Sequence, residues 1–371
     1  MTQKLFKADH VGSFLRPQEL KVAREDFEKG EINVEQLKAV EYAEIIKLVK
    51  KQIDAGLKTI TDGEFQRTWW HQDFFWGLNG FEKVRGGEIY QFSDDTKTKP
   101  ENFAVVGKVS GENHPFVEHF KTLKSIVDEF GDGTQIVKFT IPAAGNIIYR
   151  EYLEGEKEFY PSAKELLEDL GKAYNQVVRD LYEAGCRFLQ VDDVSLAVFK
   201  DPKFETPVLE ANNVTRDELF QGMVDAINAT FVDKPEDLIA GTHICRGNFQ
   251  SKHAHSDGDY DFVAKVFPEL AYDLFFLEYD TDRSGGFEPL KYLQGTDKVA
   301  VIGIVTSKFP ELEDVDLIKG RIKEATQYLP LEQLALSPQC GFASTEEGNV
   351  LTEEEQWAKV RHVVNIANQV W

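Results

Sequence analysis

Apolar residues along this chain fall into two alternating patterns. Short, nearly continuous apolar runs occur at 5–11, 57–61, 135–141, 188–191, 238–243, 274–277, 299–305 and 334–336. Between them, apolar side chains recur every three or four positions. Leu37, Val40, Ile45, Val49 and Ile53 have this spacing ahead of the second run. The stretches 163–184, 217–231, 262–272, 315–328 and 353–370 repeat it further on. Buried strands alternating with amphipathic helices are the sequence mark of a parallel sheet. Eight such strands is the count of a (β/α)8 TIM barrel. A doubly wound open sheet would carry a GxGxxG fingerprint after its first strand, and the sequence contains none. The pattern therefore predicts an α/β fold of the barrel type.

The region 63–133 breaks this rhythm between the second and third strands. It holds an aromatic cluster (Phe65, Trp69, Trp70, Phe74, Phe75, Trp76), then a turn-rich segment, GGEIYQFSDDTKTKPENF, expected to form a hairpin excursion. A helical pattern follows from 114 to 130. Its apolar content is too small for a separate core. We therefore expect a single barrel over 1–371 with an insertion at 63–133 on its mouth. The aromatic cluster reads more readily as core than as a stacking platform.

Composition narrows the function. With 64 Asp and Glu against 42 Lys and Arg, the net charge is −22, the wrong sign for neutralising phosphates, so no nucleic-acid partner is expected. The first residues lack an apolar signal core, and no stretch reaches the roughly 20 apolar residues of a membrane helix. Three cysteines, Cys186, Cys245 and Cys340, give no disulfide framework. These features predict a cytoplasmic protein whose thiols stay free.

Barrel chemistry gathers at the C-terminal ends of the strands. Those ends carry His10 and Ser13, Asp62 and Glu64, Asp192 and Asp193, His243 and Cys245, Glu278, and Cys340. In GTHICRGNF, His243 and Cys245 stand two apart and so share a face. An imidazole, a carboxylate and two thiols match the donors that zinc prefers. Blander roles suit other residues. Cys186 reads as a small buried apolar group, Asp62 and Asp193 as caps of the following helix or partners of a nearby Arg, and His253 and His255 as solvated loop histidines.

The motifs GSF, DGE, LQVDD, GTHICRGNF, LEYDTDRSGGFEPL and LSPQCGF, in this order, resemble the catalytic half of the cobalamin-independent methionine synthases, in single-domain form. The resemblance runs from Asp9 to about Phe342. It implies a (β/α)8 barrel with Zn2+ held by His243, Cys245, Glu278 and Cys340. It further implies that Ser13, Glu64 and Asp192 bind the amino-acid portion of homocysteine, and that a methyl group moves to the homocysteine thiol to form methionine.

Two features depart from the family pattern. The family's additional N-terminal half, which helps hold the folate, has no counterpart here. The family's proton-donating histidine after the seventh strand is also missing from GIVTSKFP, leaving the catalytic acid unassigned with Lys308 as the nearest stand-in. The methyl donor is thus expected to be a methyltetrahydrofolate or another methylated compound. A corrinoid-protein-dependent thiol methyltransferase of the uroporphyrinogen decarboxylase-like type is an alternative, as is a non-catalytic zinc-binding barrel. A metal-dependent hydrolase fits poorly, because such sites lean on histidines and carboxylates rather than thiolates.

Overall fold

A computed structural model describes residues 6–85, 101–149, 156–198, 206, 208–210, 212–252 and 259–371. The predicted loop histidines His253 and His255 lie outside them, as does the middle of the excursion. Nine strands are formed among the described residues. They are β1 (Thr59–Ile60), β2 (Asn79–Arg85), β3 (Glu101–Ser110), β4 (Ile136–Pro142), β5 (Phe188–Asp192), β6 (Ile239–Ile244), β7 (Leu274–Glu278), β8 (Val299–Val305) and β9 (Leu334–Pro338).

Seven of these make one curled parallel sheet in the order β1-β4-β5-β6-β7-β8-β9. Each of them matches a predicted apolar run. The first predicted run, 5–11, contributes a single parallel bridge, Ala8 to Leu336, beside β9. Polar ties take over where a strand ladder would continue. Lys138 Nζ donates to Asp9 Oδ1 at 2.7 Å and to the carbonyl of His10. His10 Nε2 sits 3.0 Å from the Thr59 carbonyl. The N-terminal segment is thereby held between the last strand and the first.

The two faces of the sheet have different fates, because alternate side chains point opposite ways. One face packs Leu189, Val191, Phe275, Leu277, Ala300, Ile302, Leu334 and Leu336 into the main core. The long helices, Val34–Asp54, Phe116–Phe130, Ala163–Glu183, Arg216–Thr230 and Glu353–Val370, contribute their apolar stripes to the same core. The other face carries a small separate cluster, Phe188, Leu274, Phe276, Val299, Val301 and Ala335. Stepping by two along the strands, this face changes character. Phe188 gives way to Gln190 and Asp192, Phe276 to Glu278, and Gly241 to His243. The apolar plug sits at the N-terminal ends and the reactive groups collect at the C-terminal ends.

The expected excursion is an antiparallel hairpin of β2 and β3. Its Phe81 and Phe103 pack against Phe75, with ring centroids 6.1 and 5.1 Å away. Phe65, Trp69, Phe74 and Phe75 are buried, so most of the aromatic cluster is core. Helix Phe116–Phe130 lies against β4 through Phe120 and Phe139, as a crossover helix does. The helix expected over 262–272 shrinks to Asp261–Ala264. Pro268 has no N–H to bond back to Ala264, so the turn ends there.

Candidate metal centre

His243 is on β6, in register with Asp192 on β5, and Cys245 follows one residue beyond the strand. Cys340 lies two residues past the end of β9. One ligand atom from each of His243, Cys245 and Cys340 lies within 4.8 Å of the others, and all three residues are buried. Nothing in the sequence joins Cys245 to Cys340 across 95 positions except the sheet order, which brings β6 and β9 to one rim. The imidazole has a neighbour on each side: Nδ1 lies 3.5 Å from Asp192 Oδ1, and Nε2 lies 3.1 Å from the Gln339 carbonyl.

The electrostatics of this trio favour a cation. A hydrogen bond with Cys245, together with burial, pushes the Cys340 thiol well above its ordinary range. Burial opposes the imidazolium of His243, yet Cys340 and Asp192 outweigh it and raise its pKa. Two thiolates side by side in a buried site would repel each other without a counter-charge. A dication among them resolves the conflict, and two thiols with an imidazole are soft-to-borderline donors of the zinc type. The donor set therefore fits Zn2+.

Glu278 ends β7 but is not part of this close set. Its Oε2 accepts from the Arg246 backbone N–H at 2.9 Å. Its Oε1 accepts from Arg283 Nη2 at 3.0 Å and lies 3.5 Å from Lys308 Nζ. Lys308 is buried and also reaches Asp280 Oδ2 at 3.2 Å. Burial works against its charge, but Glu278 and Asp280 overcome this and hold its pKa above the usual lysine value.

The other three predicted residues ring the same rim. Ser13 Oγ accepts from the Ala343 N–H at 3.3 Å. A Cβ at Gly341 would stand only 1.9 Å from Ser13 Oγ, so glycine is what lets the Cys340 loop approach Ser13. Glu64 has a left-handed backbone, φ 63°, strained for a residue with a side chain. Its turn is closed by Asp62, whose Oδ1 accepts from the Glu64 N–H at 2.9 Å. Thr140 Oγ1 donates to Glu64 Oε1 at 3.2 Å, while the buried Oε2 has no hydrogen-bond partner among the described residues. Burial pushes the Glu64 carboxyl up to about 7, with Arg67 and Arg16 pulling down and Asp192 and Asp62 pushing further up. Asp192 Oδ1 accepts from Gln190 Nε2 at 2.7 Å.

Several expectations outside this rim are met. Asp193 caps the turn after β5, its Oδ1 accepting from the Leu196 N–H at 3.1 Å and from the Ser195 hydroxyl. Cys186 is buried, with its thiol pushed up to about 12. His10 points away from the rim group, into contact with Phe14 and Thr59. Arg16, Arg67, Arg246 and Arg283 escaped the sequence reading. Arg16 and Arg67 each stand three residues from a rim residue, Ser13 and Glu64, and that spacing is the signal available for them.

The family model of the cobalamin-independent synthase catalytic domain matches residues 6–369. The chain belongs to this family. Membership of the cobalamin-independent synthases makes it a methionine synthase-like methyltransferase. The uncharacterized protein YxjG of Bacillus subtilis is 48% identical over 368 residues, covering 99% of this chain and 95% of its own. A protein named methionine synthase from Saccharolobus solfataricus is 26% identical over 334 residues, covering 90% and 86%. In three dimensions, a Listeria monocytogenes protein provisionally named a vitamin-B12-independent methionine synthase superposes with a TM-score of 0.77. It shares 38% identity over 99% of this chain and 98% of its own. A Shewanella B12-independent methionine synthase, solved with selenomethionine, gives 0.74 at 18% identity, covering 98% and 97%, and supports the fold. These relatives lend no support to a corrinoid-protein partner. No helix among the described residues is long and apolar enough to cross a membrane.

Proposed function

We propose that this cobalamin-independent synthase relative is a zinc-dependent enzyme that methylates the thiol of homocysteine, forming methionine, with a methyltetrahydrofolate as donor. The observation that carries the reading is the gathering of His243, Cys245 and Cys340 beside Asp192, with Ser13 packed on the Cys340 loop. One rim thus offers thiol-activating and amino-acid-binding groups together. Our reading of the fold is a closed (β/α)8 barrel, one domain over 1–371 with its insertion at 63–133, in which residues 7–10 stand in for the first strand. The bridge from Ala8 to Leu336 and the contact of His10 with Thr59 support that closure.

Zinc, when bound, would be held by His243, Cys245 and Cys340, with Glu278 as fourth ligand, and would keep a neighbouring thiol ionised at neutral pH. Glu64 and Asp192 oppose the ammonium group of the acceptor, and Ser13 with its adjacent backbone N–H groups faces the carboxylate. As the S–C bond forms, the donor's C–N bond breaks and the departing nitrogen takes a proton. Lys308 is our candidate for supplying it, from its buried position between Glu278 and Asp280. The segment around Trp69 and Trp70 roofs this region. Trp69 bridges to Thr345 and the Trp70 N–H donates to the Ser344 carbonyl at 3.1 Å, binding the roof to the Cys340 loop. Free thiols suit a reducing compartment, and we place the enzyme in the cytoplasm.

The test is a donor panel offered with homocysteine to the zinc-loaded protein, with methionine measured directly. We expect methionine from a methylfolate, and homocysteine should raise the melting temperature of the zinc-loaded form. A protein that holds zinc, gains no stability from homocysteine and yields no methionine with any donor would be a zinc-binding barrel without catalysis.

A further inference from the structure

We propose that Arg16 is the positioning residue of the acceptor pocket: it fastens the loops carrying Ser13, Glu64 and Cys340 together and keeps Glu64 charged. This rests on the reading of Glu64 as the ammonium partner.

Arg16 is buried. Its Nη1 donates to the carbonyls of Phe14 at 2.9 Å, Gly63 at 3.2 Å and Ala343 at 3.0 Å. Those carbonyls belong to the neighbours of Ser13 and Glu64 and to the loop three residues past Cys340. One nitrogen therefore ties its own segment to two others that lie 47 and 327 residues away from it in sequence. The same guanidinium turns Nη2 towards Glu64 Oε2, 4.0 Å away, and neither atom has a hydrogen-bond partner among the described residues. The carboxylate is thus faced by a cation on the side of its buried second oxygen.

Burying a guanidinium is unfavourable unless its surroundings compensate. Carbonyl clamping alone needs only donors, which a neutral amide supplies. The cation adds something a neutral donor cannot, a counter-charge for a carboxylate that burial pushes towards its neutral form. Four charged groups face Glu64: Arg16 and Arg67 favour ionisation, while Asp62 and Asp192 oppose it. Arg67 lies 4.0 Å from Oε1, the oxygen already bonded to Thr140, so among the described residues Arg16 is the cation beside the oxygen that makes no hydrogen bond.

The experiment compares wild type, Arg16→Gln and Arg16→Lys as zinc-loaded full-length chains. Homocysteine affinity is measured by calorimetry from pH 6 to 9, with zinc content and circular dichroism as controls. Removing an opposite charge about 4 Å away raises a carboxylate pKa by roughly 1–3 units. Binding to R16Q should therefore lose its strength at a pH at least one unit higher than in wild type, with Kd at pH 7 weakened about fivefold or more. R16K should keep the wild-type midpoint. A uniform loss at all pH values, equal in R16Q and R16K, would show Arg16 to be a structural clamp only and overturn the proposal. Should R16Q fail to fold, R16K decides alone, since an upward shift of its midpoint contradicts the charge role. If wild type does not bind homocysteine, the acceptor reading fails by itself. Arg16 is then judged by a denaturation cycle at pH 8 with Glu64→Gln. Destabilisation by the Arg16 substitution that shrinks in the Glu64→Gln background upholds the pairing, and additive effects overturn it.

Discussion

Glu64→Gln should make the substrate-free protein more stable at alkaline pH while weakening its hold on the acceptor. The Glu64 carboxyl has its pKa pushed from 4.5 to about 7 by burial, against the pull of Arg67 and Arg16. A carboxyl that binds its proton more tightly folded than unfolded makes stability fall as pH rises from about 4.5 to 7, after which the loss is complete. At 1.36 kcal/mol per unit, the difference amounts to a ceiling of about 3 kcal/mol at pH 8. Glutamine cannot ionise, and it keeps an oxygen for the Thr140 hydroxyl, so the variant escapes this loss. Urea denaturation of metal-free, reduced wild type and variant should give curves that nearly coincide at pH 4.5. By pH 8 the variant midpoint should be higher at unchanged slope. A stability difference that does not change with pH, or a variant less stable at pH 8, would refute the reasoning. The left-handed backbone of Glu64 points the same way, since strain and buried charge at one residue are expected where function opposes stability.

Two further substitutions separate the roles at the rim. Cys340→Ala should reduce zinc from about one per chain, as a single four-ligand site requires, to a small fraction after dialysis, by elemental analysis. Full retention would remove Cys340 from the ligand set. Lys308→Met should lower kcat by about 10²-fold or more, the range for loss of a general acid, with homocysteine affinity little changed. An unaltered kcat would exclude Lys308 as the proton donor.

Much of this arrangement was legible in the pattern of apolar residues. Seven runs became strands because continuous apolar stretches are buried on both faces, and their C-terminal ends named His243, Cys245 and Cys340 in advance. The run at 5–11 yields only one bridge, Ala8 to Leu336, because Asp9 and His10 beyond it are held by Lys138 and Thr59, so polar contacts take over where the ladder stops. The stretch at 262–272 has helical spacing but also Pro268, and local backbone chemistry won over periodicity. Glu278 follows the strand-end rule, yet its ion pairs with Arg283 and Lys308 come from loops whose approach no spacing predicts. Arg16 is the extreme case. Its partner carbonyls at 63 and 343 leave no trace in the side-chain sequence, because backbone acceptors are the same at every residue.

The proton count on homocysteine binding bears most directly on the idea that the His243, Cys245 and Cys340 cluster exists to ionise an incoming thiol. Calorimetry at pH 7 in buffers of different ionisation enthalpy gives that count. A free thiol with a pKa near 8.5 is almost fully protonated at this pH, so its ionisation on binding should release about one more proton per chain from the zinc-loaded protein than from the metal-free form, in which only groups such as Glu64 contribute. Binding that releases no proton from the zinc-loaded protein, or the same number from the metal-free form, would contradict it.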